Sequence, residues 1–383
     1  MRLVQILDTL QVGGAQKMQI FLAQSLRPLG IDLTVISLSD DADPALVAQL
    51  KATGVQIVTF PFPRLFSPLS FFQLVLYLRR EKFDLLHAYL SYSNIVGSLA
   101  GRLSGTPVIA SLRNASYDRQ KYSSRTKIED FSLKFLADRV LANGNVVGEV
   151  ARIRSGKTPV DVIVNAVDLI PPLGEDERNA LRLELVGGMH RPLLLSVGRL
   201  TSEKGFFDLL DAFKIVHLVR PTATLVIAGG GMLKEEKDLV AHLTELDLQN
   251  DVFLLGSRND VPRLLAAADV YVNSSLREGT PVSVLEAMAA GLPIIATAVG
   301  ENPFLLSREA GILVPPGQPE KLAAAIIFLL DSPQKRIELG SAARIRIKEN
   351  YERTTWSRSL LSLYGEVIPE AKEYLAKFNE SSV

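Results

Sequence analysis

Short runs rich in Val, Ile and Leu alternate with longer stretches of helical periodicity in this chain, and the whole pattern occurs twice. "LVQIL", "LTVISL", "VQIVTF", "FDLLHA", "PVIASL", "ADRVLA" and "VDVIV" make the first series. "PLLLSVG", "ATLVIAG", "DVFLLG", "DVYVNS", "PIIATAV" and "GILVPP" make the second. Near-continuous apolar runs suit strands buried on both faces, and the helices between them supply the cover, so each series predicts a parallel sheet wrapped by helices. At 383 residues the chain is too long for one core and fits two domains. Residues 168–192, with Pro-Pro and Gly-Gly pairs among charged side chains, read as the connector. This sets the domains at 1–170 and 171–355, with a closing helical segment at 356–383. Ligands of open α/β sheets bind beyond the carboxyl ends of the strands, so a cleft between two such domains is the expected site.

Charge and composition exclude several classes. The chain has 42 Lys and Arg against 42 Asp and Glu, and no nucleic-acid motif is present. Residues 1–173 nevertheless hold 19 basic against 14 acidic side chains. Solvated surface accounts for that excess, and an anionic acceptor or lipid surface is the alternative. With no cysteine, disulfides and thiolate chemistry drop out, and a reducing compartment fits. The N-terminal "MRLVQILDTLQVGGAQ" lacks the basic and long apolar regions of a signal peptide. Apolar stretches such as "LSFFQLVLYL" at 69–78 are too short to cross a bilayer. A cytoplasmic protein is expected, with the inner face of the cell membrane as the second placement. The aromatic and basic segment 61–83 reads either as an amphipathic helix packed on its own sheet or as a lipid-facing one.

Residues 276–293, "LREGTPVSVLEAMAAGLP", carry the densest chemistry. After the strand "DVYVNS", Thr280 is placed to cap a helix, Pro281 to occupy its first position and Gly291 to end it. The free N–H groups at 281–283 then offer an anion site at the positive helix end. Glu278 precedes that end and Glu286 lies inside the helix, roughly 9 Å beyond Thr280. Two carboxylates flanking an anion site suit hydroxyl-bearing rings on either side of a diphosphate, which is the layout of a sugar nucleotide. A loop carboxylate and a surface glutamate are the plainer reading. "RLTSEKG" puts Arg199 and Lys204 after the strand "LLLSVG", where two cations can neutralise phosphates or simply face solvent.

Weaker signals surround this segment. "AGGGM" places glycines 229–231 after another strand, and Arg258 follows "DVFLLG", where a base can rest or where it serves the structure of its own loop. Gly13 and Gly14 stand between the first strand and first helix, as a tight turn or as a place where a ligand approaches backbone. They do not form G-x-G-x-x-G, which counts against a dinucleotide oxidoreductase. His87 follows "FDLL", either as a structural histidine or as an acid, base or hydroxyl ligand.

Together "GGAQ", "VNAVD", "SVGRLTSEKG" and "EGTPVSVLEAMAAGLPIIAT", with seven residues between its two glutamates, resemble the GT-B retaining glycosyltransferases of family 4 over essentially the whole chain. That resemblance implies two Rossmann-like doubly wound domains facing a cleft, the first for the acceptor and the second for a nucleotide-sugar donor. It implies that Arg199 and Lys204 bind the diphosphate, that Glu278 touches donor-sugar hydroxyls and that Glu286 holds the ribose. Gly279, Thr280, Pro281 and Val282 match the loop that meets diphosphate and sugar, and Gly14 matches the glycine loop beneath the phosphates. The segment around Trp356 to Tyr364 resembles the one that crosses back to the first domain. Relatives often carry a histidine where Arg113 and Asn114 stand here, and a Gly-Gly pair followed by Glu where this chain reads "VGENPFLL".

The expected activity is metal-independent retaining transfer of a hexose from a UDP- or GDP-sugar to a saccharide or lipid-linked acceptor, in cell-surface polysaccharide or glycolipid synthesis, with no cofactor. Arg199, Lys204 and the helix end would stabilise the leaving diphosphate. Rival readings are a nucleotide-sugar epimerase or hydrolase on the same fold, and a non-catalytic nucleotide-sugar-binding protein.

Overall fold

The first seven apolar runs form strands β1 (Arg2–Leu7), β2 (Asp32–Ser37), β3 (Gln56–Thr59), β4 (Leu85–Tyr89), β5 (Val108–Leu112), β6 (Arg139–Ala142) and β7 (Val160–Val162). All pairings are parallel, and the order is β3-β2-β1-β4-β5-β6-β7. The other six form β8 (Leu193–Val197), β9 (Thr224–Ala228), β10 (Val252–Leu254), β11 (Val270–Asn273), β12 (Ile294–Thr297) and β13 (Ile312–Val314), again parallel, in the order β10-β9-β8-β11-β12-β13. Each sheet winds outward in both directions from a switch point, between β1 and β4 in one and between β8 and β11 in the other. These are two Rossmann-like doubly wound sheets.

The computed structural model describes residues 1–11, 13–63, 67–113, 123–188 and 190–381. The chain divides into one unit of Met1–Ala166 with Arg353–Val383 and another of Val167–Glu352. Strand side chains of the first unit alternate between two cores. Leu3, Leu7, Leu33, Val35 and Ile109 meet one set of helices, whereas Val4, Ile6, Leu86, Ala88 and Ala110 meet the other. The two-residue period of a strand accounts for that division. Helices Arg353–Val367 and Ala371–Ser381 join the first core through Trp356, Leu360, Tyr364 and Phe378. Burial of such large side chains, at roughly 1.5–3 kcal/mol each, holds the C-terminal helices on the unit that the N-terminus begins. Among the described residues no helix is long and apolar enough to cross a membrane.

Residues 168–192 are not a simple connector. Residues Glu175–Val186 form a helix within them, and Arg182, buried inside it, grips Asp269 with Nη1 at 3.1 Å and Nη2 at 2.9 Å. Asp269 also accepts from the Leu193 N–H at 2.8 Å and from Arg178 at 2.7 Å. These bonds hold its carboxyl below the usual range although burial pushes the other way. A charge-rich segment therefore anchors the first strand of the second sheet. Its polarity misled because two of its charges are spent inward.

Candidate functional site

In the second unit, the switch between β8 and β11 brings two loops side by side: residues 198–205 after β8 and residues 274–281 after β11. They are stitched together by backbone. Leu276 N–H donates to Glu203 O at 2.8 Å, and Ser274 Oγ donates to Lys204 O at 3.0 Å. Gly205 has φ +61°, and a Cβ there would come within 2.2 Å of Ser274 O, so only glycine lets the loops meet.

That contact places Lys204, which closes the 3-10 turn Ser202–Lys204, against Glu278, with Nζ donating to Oε1 at 2.6 Å. Glu278 is nearly buried, at 8% side-chain exposure against 19% for Lys204. Ser275 Oγ donates to the same Oε1 at 2.7 Å, and Asn273 Nδ2 approaches it at 3.4 Å. Behind them Asn302, fully buried, donates from Nδ2 to Asn273 Oδ1 at 3.0 Å and to Thr297 O at 2.9 Å. Thr297 Oγ1 donates to Ser275 O at 2.6 Å. A buried carboxylate is tolerated only when bonded this fully. Glu278 thus has one oxygen fixed by the protein and a second that none of these bonds engages.

Gly279 and Thr280 continue the loop. Gly279 O accepts from Glu301 N–H at 2.9 Å, and Gly300, at φ +53°, would put a Cβ 2.5 Å from Glu278 O. The helix runs Val282–Ala289 with Pro281 as its flanking residue and no side-chain cap. It therefore starts one residue later than Thr280 capping predicts, and Val282, not Pro281, takes the first position. Glu286 lies about 6 Å along it from Val282. Both glutamates border Tyr271 of β11. Burial pushes that phenol up, a hydrogen bond from Ser283 pulls it down, and the charges of Glu278 and Glu286 add to the rise. The two carboxylates of the sequence motif thus flank one helix start.

Arg199 is exposed just after β8 and has no ion-pair partner among the described residues. The glycine run beside it is tightly packed. Gly229 has φ +152°, and a Cβ there would lie 1.8 Å from Gly198 O, while Leu200 N–H donates to Gly230 O at 2.9 Å. Arg258 takes the loop-structural role. It forks onto Asp260 at 2.7 and 2.6 Å, which raises its own pKa chiefly through that bond, so it stiffens its loop in this state.

The remaining candidates lie in the first unit. Gly13 and Gly14 stand at its switch point, opening the helix Gly14–Leu26 in extended backbone at Gly13. Asp8, at the end of β1, accepts from Tyr92 N–H, Ser93 N–H and Ser93 Oγ and so caps the helix Ser91–Ser104. His87 is a correction: it lies mid-strand in β4, fully buried, not at a strand end. Its Nδ1 is 2.9 Å from Tyr364 Oη and its Nε2 2.7 Å from Ser111 Oγ, and it stacks on Tyr89 at 4.2 Å. With both nitrogens engaged, the ring ties β4 and β5 to the returning C-terminal helix and offers nothing to an acceptor. Arg113 also turns inward, lying over the Tyr89 ring at 4.5 Å and donating to Asn165 Oδ1 at 2.7 Å. Asn114 lies outside the described residues.

The His87 cluster makes a pH prediction. Burial, and secondarily the charge of Arg113, holds the imidazole well below its usual 6.5. Protonation then favours the unfolded chain, so this contribution is complete above the unfolded pKa and is lost as pH falls through the depressed folded value. Melting temperature measured between about pH 7.5 and 5 should fall less steeply in His87→Gln than in the parent protein. Equal slopes would show that His87 carries no linked proton.

Comparison with known proteins gives a family. The description "Glycosyl transferases group 1" matches residues 145–346, and "Glycosyltransferase Family 4" matches residues 12–170. The Escherichia coli UDP-Gal:alpha-D-GlcNAc-diphosphoundecaprenol alpha-1,3-galactosyltransferase is 28% identical over 264 residues, covering 66% of this chain and 68% of that protein. Spore coat protein SA of Bacillus subtilis is 28% identical over 370 residues, 92% of this chain and 94% of its own length. Among solved structures, Anabaena Alr3699/HepE in complex with UDP-glucose superposes with a TM-score of 0.85 at 22% identity, over 96% of this chain and 100% of that one. This last likeness is one of fold, the GT-B pair of parallel-sheet domains.

Proposed function

Because the chain belongs to the glycosyl transferases of group 1, we propose that its second unit holds a nucleoside-diphosphate hexose at the β8–β11 switch and that a hexosyl group passes with retention to a saccharide or lipid-linked acceptor bound by the first. The observation that carries this reading is the Lys204–Glu278 pair at 2.6 Å, seated beside the start of the helix Val282–Ala289. An ammonium has three donors. Lys204 can therefore keep Glu278 and still meet a phosphate, while Arg199, exposed and unpaired by the described residues, adds a planar fork. Charge growing on the departing diphosphate is met by these two cations and by the N–H groups of the helix start, preorganised by the backbone stitching of the two loops. The Glu278 oxygen that no described residue engages faces donor-sugar hydroxyls, and Glu286, farther along the helix, takes the ribose.

Relatives' names support the donor and acceptor classes: the E. coli relative is named for UDP-Gal and a diphosphoundecaprenol-linked sugar, and a Corynebacterium glutamicum relative for GDP-mannose and a phosphatidylinositol mannoside. The function belongs with cell-surface polysaccharide or glycolipid synthesis. The test is calorimetric titration of the protein with UDP-hexoses and GDP-hexoses, then mass spectrometry of products with lipid-linked and free saccharides. Tight binding of one donor and an α-linked product from an α-linked donor are expected. An inverted product overturns retention, and sugar release without transfer to any acceptor points instead to a hydrolase.

A further inference from the structure

One face of the first sheet is covered by helices Pro68–Glu81, Ser91–Ser104, Ser124–Phe135 and Asn145–Ser155, each packed on the next. Their inner sides are buried, yet their outer sides keep large apolar groups in solvent. Leu69, Phe72 and Leu76 are 71%, 60% and 47% exposed on the first helix, and Leu103 is 48% exposed on the second. Phe131 and Phe135 are 55% and 65% exposed on the third. On the first and third helices these residues recur every three or four positions, so each of those two carries a stripe. Arg79 prolongs the first stripe and donates across to Leu103 O at 2.8 Å, and Lys127 begins the third. On the four helices seven Lys and Arg are exposed against one exposed carboxylate, Glu149. Glu129 and Asp130 are buried on Arg154, and Glu81 is occupied by Arg2 and Arg80.

We propose that this helical face docks on an anionic lipid bilayer surface, the apolar stripes entering the headgroup boundary and the cations meeting lipid phosphates. Apolar groups this large, held on neighbouring helices among exposed side chains that are almost all cationic, mark an interaction surface. A polyanion would use only the cations and leave Leu69, Phe72, Phe131 and Phe135 wet. A second copy docking face to face would set the same cations against each other, because a two-fold contact repeats its own patch. An anionic membrane uses both components, apolar burial and attraction of basic side chains. The proposal goes beyond the transferase reading and does not depend on it, since binding can be read without turnover.

The experiment is cosedimentation of the full chain with phosphatidylcholine vesicles and with phosphatidylcholine vesicles containing phosphatidylglycerol. The protein should partition onto the second kind only, and less as salt rises. Phe72→Ser with Phe131→Ser, and separately Arg102→Glu with Lys127→Glu and Lys134→Glu, should each weaken partitioning about tenfold or more while melting as the parent does. Should either combination fail to fold, Leu69→Ser and Lys134→Glu alone carry the same expectation in reduced degree, and the salt titration of the parent decides the cationic part. Absence of binding, equal binding to both vesicle types, or self-association abolished by these substitutions would overturn the proposal.

Discussion

Lys204→Ala is expected to lower kcat/KM about 10²- to 10³-fold, the range seen when one preorganised donor to a developing anion is removed. The substitution deletes a cation beside the proposed diphosphate and strips Glu278 of its closest partner, at 2.6 Å. Ser275 and Asn273 still hold that carboxylate, so the fold should survive. Glu278→Gln separates the two roles. It keeps the side chain's size and its bond from Ser275 but releases Lys204 from its ion pair. Binding of a bare nucleoside diphosphate should persist in Glu278→Gln and drop in Lys204→Ala, while sugar transfer falls in both. Steady-state kinetics with isothermal titration of UDP and GDP read the two effects apart. Near-parental transfer by either purified variant would remove its residue from the site.

Arg154→Leu should cost about 3–5 kcal/mol, the usual penalty for removing one partner of a buried ion pair. The guanidinium reaches Glu129 from Nη2 and Asp130 from Nε, both at 2.6 Å, with all three side chains under one-tenth exposed. Among the described residues Glu129 has only the Asn94 amide besides, at 3.0 Å. Loss of the arginine takes from two neighbouring buried carboxylates the one cation that pairs with them among the described residues. Arg154→Lys should recover part of the loss, because an ammonium cannot reproduce the two-sided fork. Urea denaturation followed separately for each transition gives the measurement, since two units need not melt together. The triple change Arg154→Met, Glu129→Gln and Asp130→Asn should be milder than Arg154→Leu alone. A harsher triple would show that shape rather than charge decides the stability there.

Much of the architecture was legible in the chain. Strands buried on both faces are apolar along most of their length, so all thirteen runs could be read as strands, and their alternation with helices implies doubly wound sheets. Glu278 and Glu286 were legible as a pair about one helix start because helix geometry is local. Less legible was everything that depends on partners far along the chain. His87 looked like a strand-end ligand until Tyr364, 277 positions away, and Ser111 took its two nitrogens. The charged stretch at 168–192 resembled a connector because nothing local announces that Arg182 will be buried against Asp269. Asn302 and Asn273 were missed as supports of Glu278, although polar residues closing an apolar strand such as "DVYVNS" are a usable signal.

By itself, then, the order of residues determined which segments become strands and helices and that Glu278 and Glu286 stand about one helix start, because periodicity and helix ends are short-range physics. Tertiary structure alone decided which of those side chains face outward and which are spent on each other. Burial removes water as a partner, so each polar group inside must find another, and for His87, Arg182 and Asn302 that partner comes from whichever element the fold brings alongside.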